Sequence, residues 1–367
     1  MKKINEKKFF KNSRILITGG TGSWGNELVK QLLKKFDPKE IRIYSRGEHK
    51  QVEMRRRFQD ERIKYFIGDV RDKERLLLCS KGIDYIFHLA ALKHVPVCEM
   101  NPWEAVSTNI IGTQNVIEAA IENKVKKVVD VSTDKAVDPF NLYGVTKACG
   151  EKIIIAGNNI SKKTRFVCIR GGNVLGTNGS VIPLFKEQIE KLNEITITDE
   201  QMSRFLMRVE DAIKLVLHAT THSIGGEVFV MKMSACKIID LAKVMIDRFG
   251  NDRTKIRNIG IRPGEKLYEV LVSRYEVPRA FDLGKYFVIL PQIPISGLDE
   301  RYNKYWRLQY QEFNSNNTMQ LSRTEIEDLI ENDGWFDNQI HKEAIEYLRN
   351  LSKDELKNFF KLEGWQK

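Results

Sequence analysis

The sequence predicts an α/β fold, a doubly wound parallel sheet joined to a smaller, mostly helical lobe. Three observations carry this reading. Short β-branched runs alternate with helical stretches up to Arg170. A glycine-rich turn follows the first of those runs directly. Beyond Arg170 the alternation stops and the elements shorten. Strands alternating with helices of this length read as βαβ units on a parallel sheet.

The elements follow in order. Arg14 to Thr18 is the first strand, and an amphipathic helix is expected from Trp24 to Phe36. Ile41 to Tyr44, Ile63 to Ile67 and Tyr85 to His88 are the next strands, separated by a charged helical stretch and by Arg71 to Ser80. Trp103 to Glu122 reads as one long helix. Val128 to Val131 is a strand, Tyr143 to Ile155 a helix and Phe166 to Ile169 a strand. Gly171, Gly172, Gly176 and Gly179 then mark a loop-rich passage. Helices at Ile182 to Lys191, Glu210 to Thr221 and Ile238 to Phe249, with a strand at Val228 to Val230, form the second lobe. The polar tail is helix-prone at Thr324 to Glu331, Lys342 to Asn350 and Lys353 to Leu362.

Composition removes several function classes. The 367 residues suggest roughly two domains. With 42% hydrophobic residues, a disordered or fibrous chain is excluded. No apolar run is long enough to span a membrane. The lysine-rich start, Met1 to Asn12, lacks the apolar stretch of an export signal, so a cytoplasmic location is expected. The net charge of +11 is read as a solvated surface. Its densest runs, Lys2 to Lys11 and Arg55 to Arg57, carry no aromatic ladder, so nucleic-acid binding is not expected. Five cysteines, Cys79, Cys98, Cys149, Cys168 and Cys236, show no CxxC spacing, which argues against disulfides and structural zinc. His218 and His222 stand four apart with no third ligand nearby, and no metal site is expected.

The first strand runs into Thr18-Gly19-Gly20-Thr21-Gly22-Ser23-Trp24-Gly25. Gly19 permits a tight turn, Gly22 lets backbone approach a pyrophosphate, and Gly25 lets helix and strand pack closely. The helix N-terminus then faces phosphate charge. This marks residues 1–175 as a Rossmann-like dinucleotide-binding domain. The second strand ends Tyr44-Ser45-Arg46 without an acid, and Arg46 with Lys50 suits a 2′-phosphate, so NADP is expected rather than NAD. Asp69 and Val70 are placed at the adenine. Ala90 and Ala91 are small enough to pass beneath the nicotinamide side.

The chemistry is read from Ser132-Thr133-Asp134-Lys135, then Tyr143 and, four residues on, Lys147. That spacing puts Tyr143 and Lys147 on one helix face. A neighbouring ammonium stabilises a phenolate, so Tyr143 is expected as a base for a sugar hydroxyl, with Thr133 sharing the hydrogen bond.

With these motifs in order, the sequence resembles the extended short-chain dehydrogenase/reductase family. Within it, the chain is most similar to the inverting UDP-N-acetylglucosamine 4,6-dehydratases of the pseudaminic-acid and capsule pathways. The likeness rests also on Ala90-Ala91-Leu92-Lys93-His94-Val95-Pro96, Asn141-Leu142-Tyr143-Gly144, Gly172-Asn173-Val174, Gly179–Pro183, Thr196–Phe205 and Arg262–Leu267. The resemblance implies that Tyr143 and Lys147 oxidise C4, that Lys135 is the base at C5 and that Asp134 is the acid at O6. It places Lys93 near sugar and cofactor, and Val174 at the cofactor. Asn173, Ser180, Arg204, Arg262 and Glu265 would hold the UDP-sugar. It implies residues 176–290 as the substrate-binding lobe, interleaved with the first domain, and 291–367 as a helical C-terminal extension. A homo-oligomer is implied as well. The chain departs from the family at Gly171, where a Tyr is usual, and at Gly47, where an acid is usual. Capsule-type members usually carry Met at the position of Tyr143. A 4-epimerase on the same fold and a non-catalytic NADP-binding scaffold remain as alternatives. The Asp134-Lys135 pair weighs against the first, and the intact Thr133, Tyr143 and Lys147 set against the second.

Overall fold

A computed structural model describes residues 9–175 and 180–335. The glycines at 176 and 179, the start of the chain and the helices expected at 342–350 and 353–362 lie outside the described residues. Two units emerge, and each has its own core.

The first unit is built on one ten-stranded sheet. Its parallel part consists of β1 (Arg14–Thr18), β2 (Glu40–Ser45), β3 (Ile63–Ile67), β4 (Tyr85–His88), β5 (Lys127–Thr133), β6 (Arg165–Gly171) and β7 (Val228–Met231). Three short strands complete it: β8 (Ala280–Asp282), β9 (Tyr286–Ile289) and β10 (Trp306–Arg307). The order across the sheet is β3-β2-β1-β4-β5-β6-β7-β9-β8-β10. Pairing is parallel from β3 to β7 and antiparallel beyond it. The apolar strands are covered on both faces, as a parallel sheet requires. Ile15, Ile17, Ile41, Ile43, Phe87 and Val129 are almost wholly buried with Leu28, Val29 and Leu32 of helix α1 (Ser23–Lys35). Strand order reverses between β2-β1 and β4-β5, the switch point at which open α/β sheets take ligands.

The expected long helix at 103–122 is interrupted. Pro102–Val106 is α-helical, Ser107–Ile111 winds as a wide π turn, and Gly112–Glu122 resumes the α-helix. Helix α2 (Leu142–Ile160) is longer than expected. Asn141 caps it by accepting from the Gly144 amide at 2.8 Å.

The division of the chain differs from the sequence reading. The first unit takes the chain up to Gly171 together with Glu210–Lys232 and Leu271–Glu312. The helix Val209–His222 and strand β7, expected in the second lobe, belong largely to the first, because β7 pairs in parallel with β6. Residues 291–335 form no separate extension: they fall in both units. Among the described residues, the second unit is Gly172–Val209, Met233–Val270 and 313–335. Its helices Val181–Leu192, Ile238–Phe249 and Arg323–Asn332 bury Ile182, Phe185, Leu241, Met245, Ile326 and Ile330 against one another. A capping box of Ser322 and Glu325 starts the last of these. This unit also carries strands that the sequence reading lacks, among them Ser203–Met207, between Asn173–Val174 and Ala235–Lys237.

Candidate active site

The turn after β1 has the shape that its glycines allow. Gly19 sits at φ +66°, and a Cβ there would come within 2.8 Å of the Ala90 amide nitrogen. Backbone following β1 and backbone following β4 are thus in contact. At Gly25 a Cβ would overlap the Gly20 carbonyl oxygen at 2.1 Å, so only glycine lets α1 close onto the turn. Gly22 is the N-cap of α1, and no side chain caps that end. Thr21, Ser23 and Trp24 are partly exposed around it.

Beside this turn, Ser45 is buried and Gln51 donates to its carbonyl (3.1 Å), to its hydroxyl (3.0 Å) and to the Phe66 carbonyl (2.9 Å). Gln51 was not singled out in the sequence. Arg46 is exposed, with its guanidinium 3.9 Å from Asp69. Lys50 is exposed on the next turn of chain. Burial raises the Asp69 carboxyl, but hydrogen bonds and charge from Arg71, with Arg46, outweigh it and hold the group below its ordinary value. Asp69 is therefore an anion already engaged by arginines. Buried Val70 has its carbonyl held by Asn115 at 2.9 Å. Ala90 and Ala91 are partly exposed after β4.

The end of β5 and the start of α2 bring the expected chemical residues together. Thr133 Oγ1 donates to Asp134 Oδ1 at 2.8 Å, and the Thr133 side chain acts on the Tyr143 phenol to lower its pKa. The Lys135 ammonium reaches the same Asp134 oxygen at 3.1 Å. Asp134 is buried, and its Oδ2 has no hydrogen-bond partner among the described residues. An orphaned buried carboxylate oxygen is uncommon in proteins. Lys93 is near enough for its charge and that of Lys135 to oppose each other. Desolvation, then Lys135, pull its ammonium below the ordinary value.

Tyr143 differs from its sequence expectation in one respect. Desolvation pushes the phenol above its ordinary value. Lys147, Thr133 and Lys135 pull it back, while Asp134 adds to the rise. The ammonium does act on the phenol as expected, but in the protein alone burial wins. Behind Tyr143, Lys147 lies 3.4 Å from both carboxylate oxygens of buried Asp130. Further along α2, Glu151 binds Arg170 through two hydrogen bonds of 2.8 and 2.6 Å, and Arg170 also binds Glu276. Asn109, inside the π turn, donates to the Leu92 carbonyl and to Thr146, and accepts from the Leu92 amide. It ties the Lys93 loop to α2. Asp130, Gln51 and Asn109 are the residues that sequence reasoning missed. Of these Asp130 alone left a signal, an acid inside the run Val128 to Val131.

In the second unit, Asn173 Oδ1 and Ser180 Oγ are buried and have no hydrogen-bond partner among the described residues. Val174 is buried in the short strand beside Asn173. Arg204, expected at the uridine and diphosphate, has several partners within the protein. It donates to the carbonyls of Ser203 (2.8 Å), Lys266 (2.8 Å) and Leu267 (3.2 Å), with Glu269 and Glu265 at 3.6 and 3.7 Å. Arg262 and Glu265 close one turn: the Glu265 amide donates to the Arg262 carbonyl at 3.1 Å.

His218 and His222 stack at 4.0 Å on the helix Val209–His222, with Tyr286 against His218. Among the described residues no helix is long and apolar enough to cross a membrane.

Comparison with known proteins gives the family. A UDP-N-acetylglucosamine 4,6-dehydratase (inverting) from Campylobacter jejuni is 46% identical over 297 residues, 80% of this chain and 87% of that protein. A UDP-glucose 4-epimerase from Rickettsia bellii is 46% identical over 334 residues, 88% of this chain and 96% of that protein. The X-ray structure of Pen from Bacillus thuringiensis superposes with a TM-score of 0.83 at 42% identity, covering 89% of this chain and 99% of that one. The match to the polysaccharide biosynthesis protein family runs over residues 15–291. The chain therefore belongs to that family, a group of short-chain dehydrogenase/reductase enzymes that modify nucleotide sugars.

Proposed function

We propose that this protein is an NADP-dependent UDP-N-acetylglucosamine 4,6-dehydratase that inverts C5. Its product would be a UDP-4-keto-6-deoxy-hexosamine for surface glycan or nonulosonic-acid synthesis. The observation that carries the reading is the joined Thr133–Asp134–Lys135–Tyr143 cluster, with the orphaned Asp134 oxygen at its centre. Moving hydrogen at C4 needs only Tyr143 and Lys147. Elimination of water needs an additional acid and base, and Asp134 with Lys135 are that pair.

The residues fit a dinucleotide. The turn at Gly19–Gly25 brings uncapped helix backbone to a pyrophosphate, and Arg46 with Lys50 would take a 2′-phosphate. NADP held there would supply reversible hydride chemistry at the sugar. Tyr143 takes the 4-hydroxyl proton, with Thr133 sharing that hydrogen bond and Lys147 stabilising the phenolate. The ketone at C4 acidifies the C5 proton, which Lys135 removes, and a proton exchanged from solvent is added at the opposite face, inverting C5. Asp134 protonates the departing 6-hydroxyl. Asn173, Ser180, Arg204, Arg262 and Glu265 would hold the UDP-sugar, the arginines at the diphosphate, and Arg204 would also shape the loop that carries Arg262 and Glu265.

The Rickettsia bellii relative favours a second reading, a UDP-hexose 4-epimerase. Incubation with UDP-N-acetylglucosamine in D₂O, followed by mass spectrometry and proton NMR, separates the two. The dehydratase gives a product lighter by one water and deuterated at C5, with altered H5 coupling. The epimerase gives an isomer of unchanged mass.

A further inference from the structure

We propose that Asp130 is a positioning residue for the Tyr143–Lys147 pair, holding the Lys147 ammonium charged and in place from the sheet side. The inference rests on the oxidising role given to Tyr143 above, and its first test is independent of that role.

Asp130 stands in the middle of β5 with valines on both sides, in register between His88 of β4 and Cys168 of β6. It has no exposed surface. An ionised carboxylate there costs several kcal/mol unless a cation meets it. Lys147 supplies the cation, its Nζ equidistant from the two oxygens at 3.4 Å. The other groups around the pair do not replace it. Burial keeps the His88 imidazole neutral, with a pKa pulled down to about 4. Burial also raises the Cys168 thiol well above its ordinary range, so it carries no charge. Glu151, one helical turn beyond Lys147, is committed to Arg170. Tyr143 lies one helical turn before Lys147, on the same face.

The charge balance at Lys147 follows. Burial pulls its ammonium down, and Asp130 is the foremost of the groups that more than offset this. Without the Asp130 charge, a buried lysine sheds its proton more readily. The phenol would then lose the cation that Tyr143 depends on. Asp130 touches neither the phenol nor any reacting atom in this account. It acts through Lys147.

The first test is a ¹³Cε NMR titration of lysine-labelled protein without substrate, with Lys147 assigned through Lys147→Arg. In the wild type, Lys147 should titrate above the ordinary lysine value. In Asp130→Asn its titration should fall by about one pH unit or more. A wild-type Lys147 that titrates at or below the ordinary value overturns the proposal, even if the variant does not fold. So does an Asp130→Asn protein, folded by circular dichroism, in which Lys147 titrates as before. The second test is turnover. Asp130→Asn should lower kcat by roughly tenfold to a hundredfold, in proportion to the lost phenolate stabilisation. KM should stay near its wild-type value, and the acid limb of the kcat profile should move to higher pH. A uniform loss without movement of that limb would mean a purely structural role and overturn the proposal. If the protein proves to be an epimerase, the NMR result stands unchanged.

Discussion

The centre around Tyr143 and the cluster around Arg204 both gather charged groups, yet those charges meet partners of different kinds. Around Tyr143, charges meet in short links that leave one Asp134 oxygen without a partner. Around Arg204, three backbone carbonyls and two carboxylates surround a single guanidinium. Sequence motifs suggested a ligand role for both. The difference teaches that a buried arginine is defined by what already surrounds it. In the first region neighbouring side chains hold one another, whereas the Arg204 cluster ties a side chain to the backbone of the loop from Arg262 to Glu269.

Three changes break or sharpen this contrast. The largest effect is expected from Tyr143→Phe. Removing the acid–base group should lower kcat by roughly 10²–10⁴-fold while leaving the melting temperature near that of the wild type. Turnover within a few fold of wild type would remove Tyr143 from the chemistry.

The next effect concerns pH. Burial holds the His88 imidazole at about 4, against an ordinary value of 6.5, with Asp130 opposing and Lys147 adding to the fall. Between those values the unfolded chain binds a proton that the folded chain refuses. Stability therefore falls as pH drops through that window and is recovered above it. The gap corresponds to about 3 kcal/mol, lost in full below the folded value. Urea midpoints at pH 7 and pH 4 should show this extra loss in the wild type and not in His88→Asn. Equal losses in the two proteins would mean that His88 is not the group responsible.

The smallest effect separates brace from clamp. Arg204→Met removes charge-assisted bonds to three carbonyls and leaves Glu269 in a buried site without its arginine. A loss of about 2–3 kcal/mol in the protein without substrate is expected by urea denaturation. A variant of unchanged stability with a raised KM would restore the ligand role first read for Arg204.

Much of the first unit was legible because its signals are local. The strands Arg14–Thr18, Ile63–Ile67 and Tyr85–His88 have the boundaries that their β-branched and aromatic runs indicate. The glycine spacing, and Tyr143 with Lys147 one turn apart, also depend only on neighbours in the chain. What escaped was long-range. Val228–Met231 joins the main sheet through a parallel pairing with Val167's neighbours Cys168, Ile169 and Arg170, which no local pattern encodes. The strands of the second unit are three to five residues where they matter most, Ala235–Lys237 and Ser203–Met207, too short for an alternation to stand out. Arg204 was legible as a charge, but its carbonyl partners at 266 and 267 are set by tertiary packing.

The wide turn at Ser107–Ile111 acts as a phase shifter. A π turn takes one residue more than the α-helical repeat, and each residue of an α-helix advances the winding by about 100°. After the turn, Thr113 reaches His88 at 3.2 Å and Asn115 reaches the Val70 carbonyl, while Val116 and Ala120 meet the core. In an unbroken α-helix, all of these side chains would be rotated together by about that angle. One local irregularity thus chooses which stripe of the 11 residues from Gly112 to Glu122 faces inward. The same five residues carry Asn109, so the clamp on the Lys93 loop and the orientation of the following helix share a single origin.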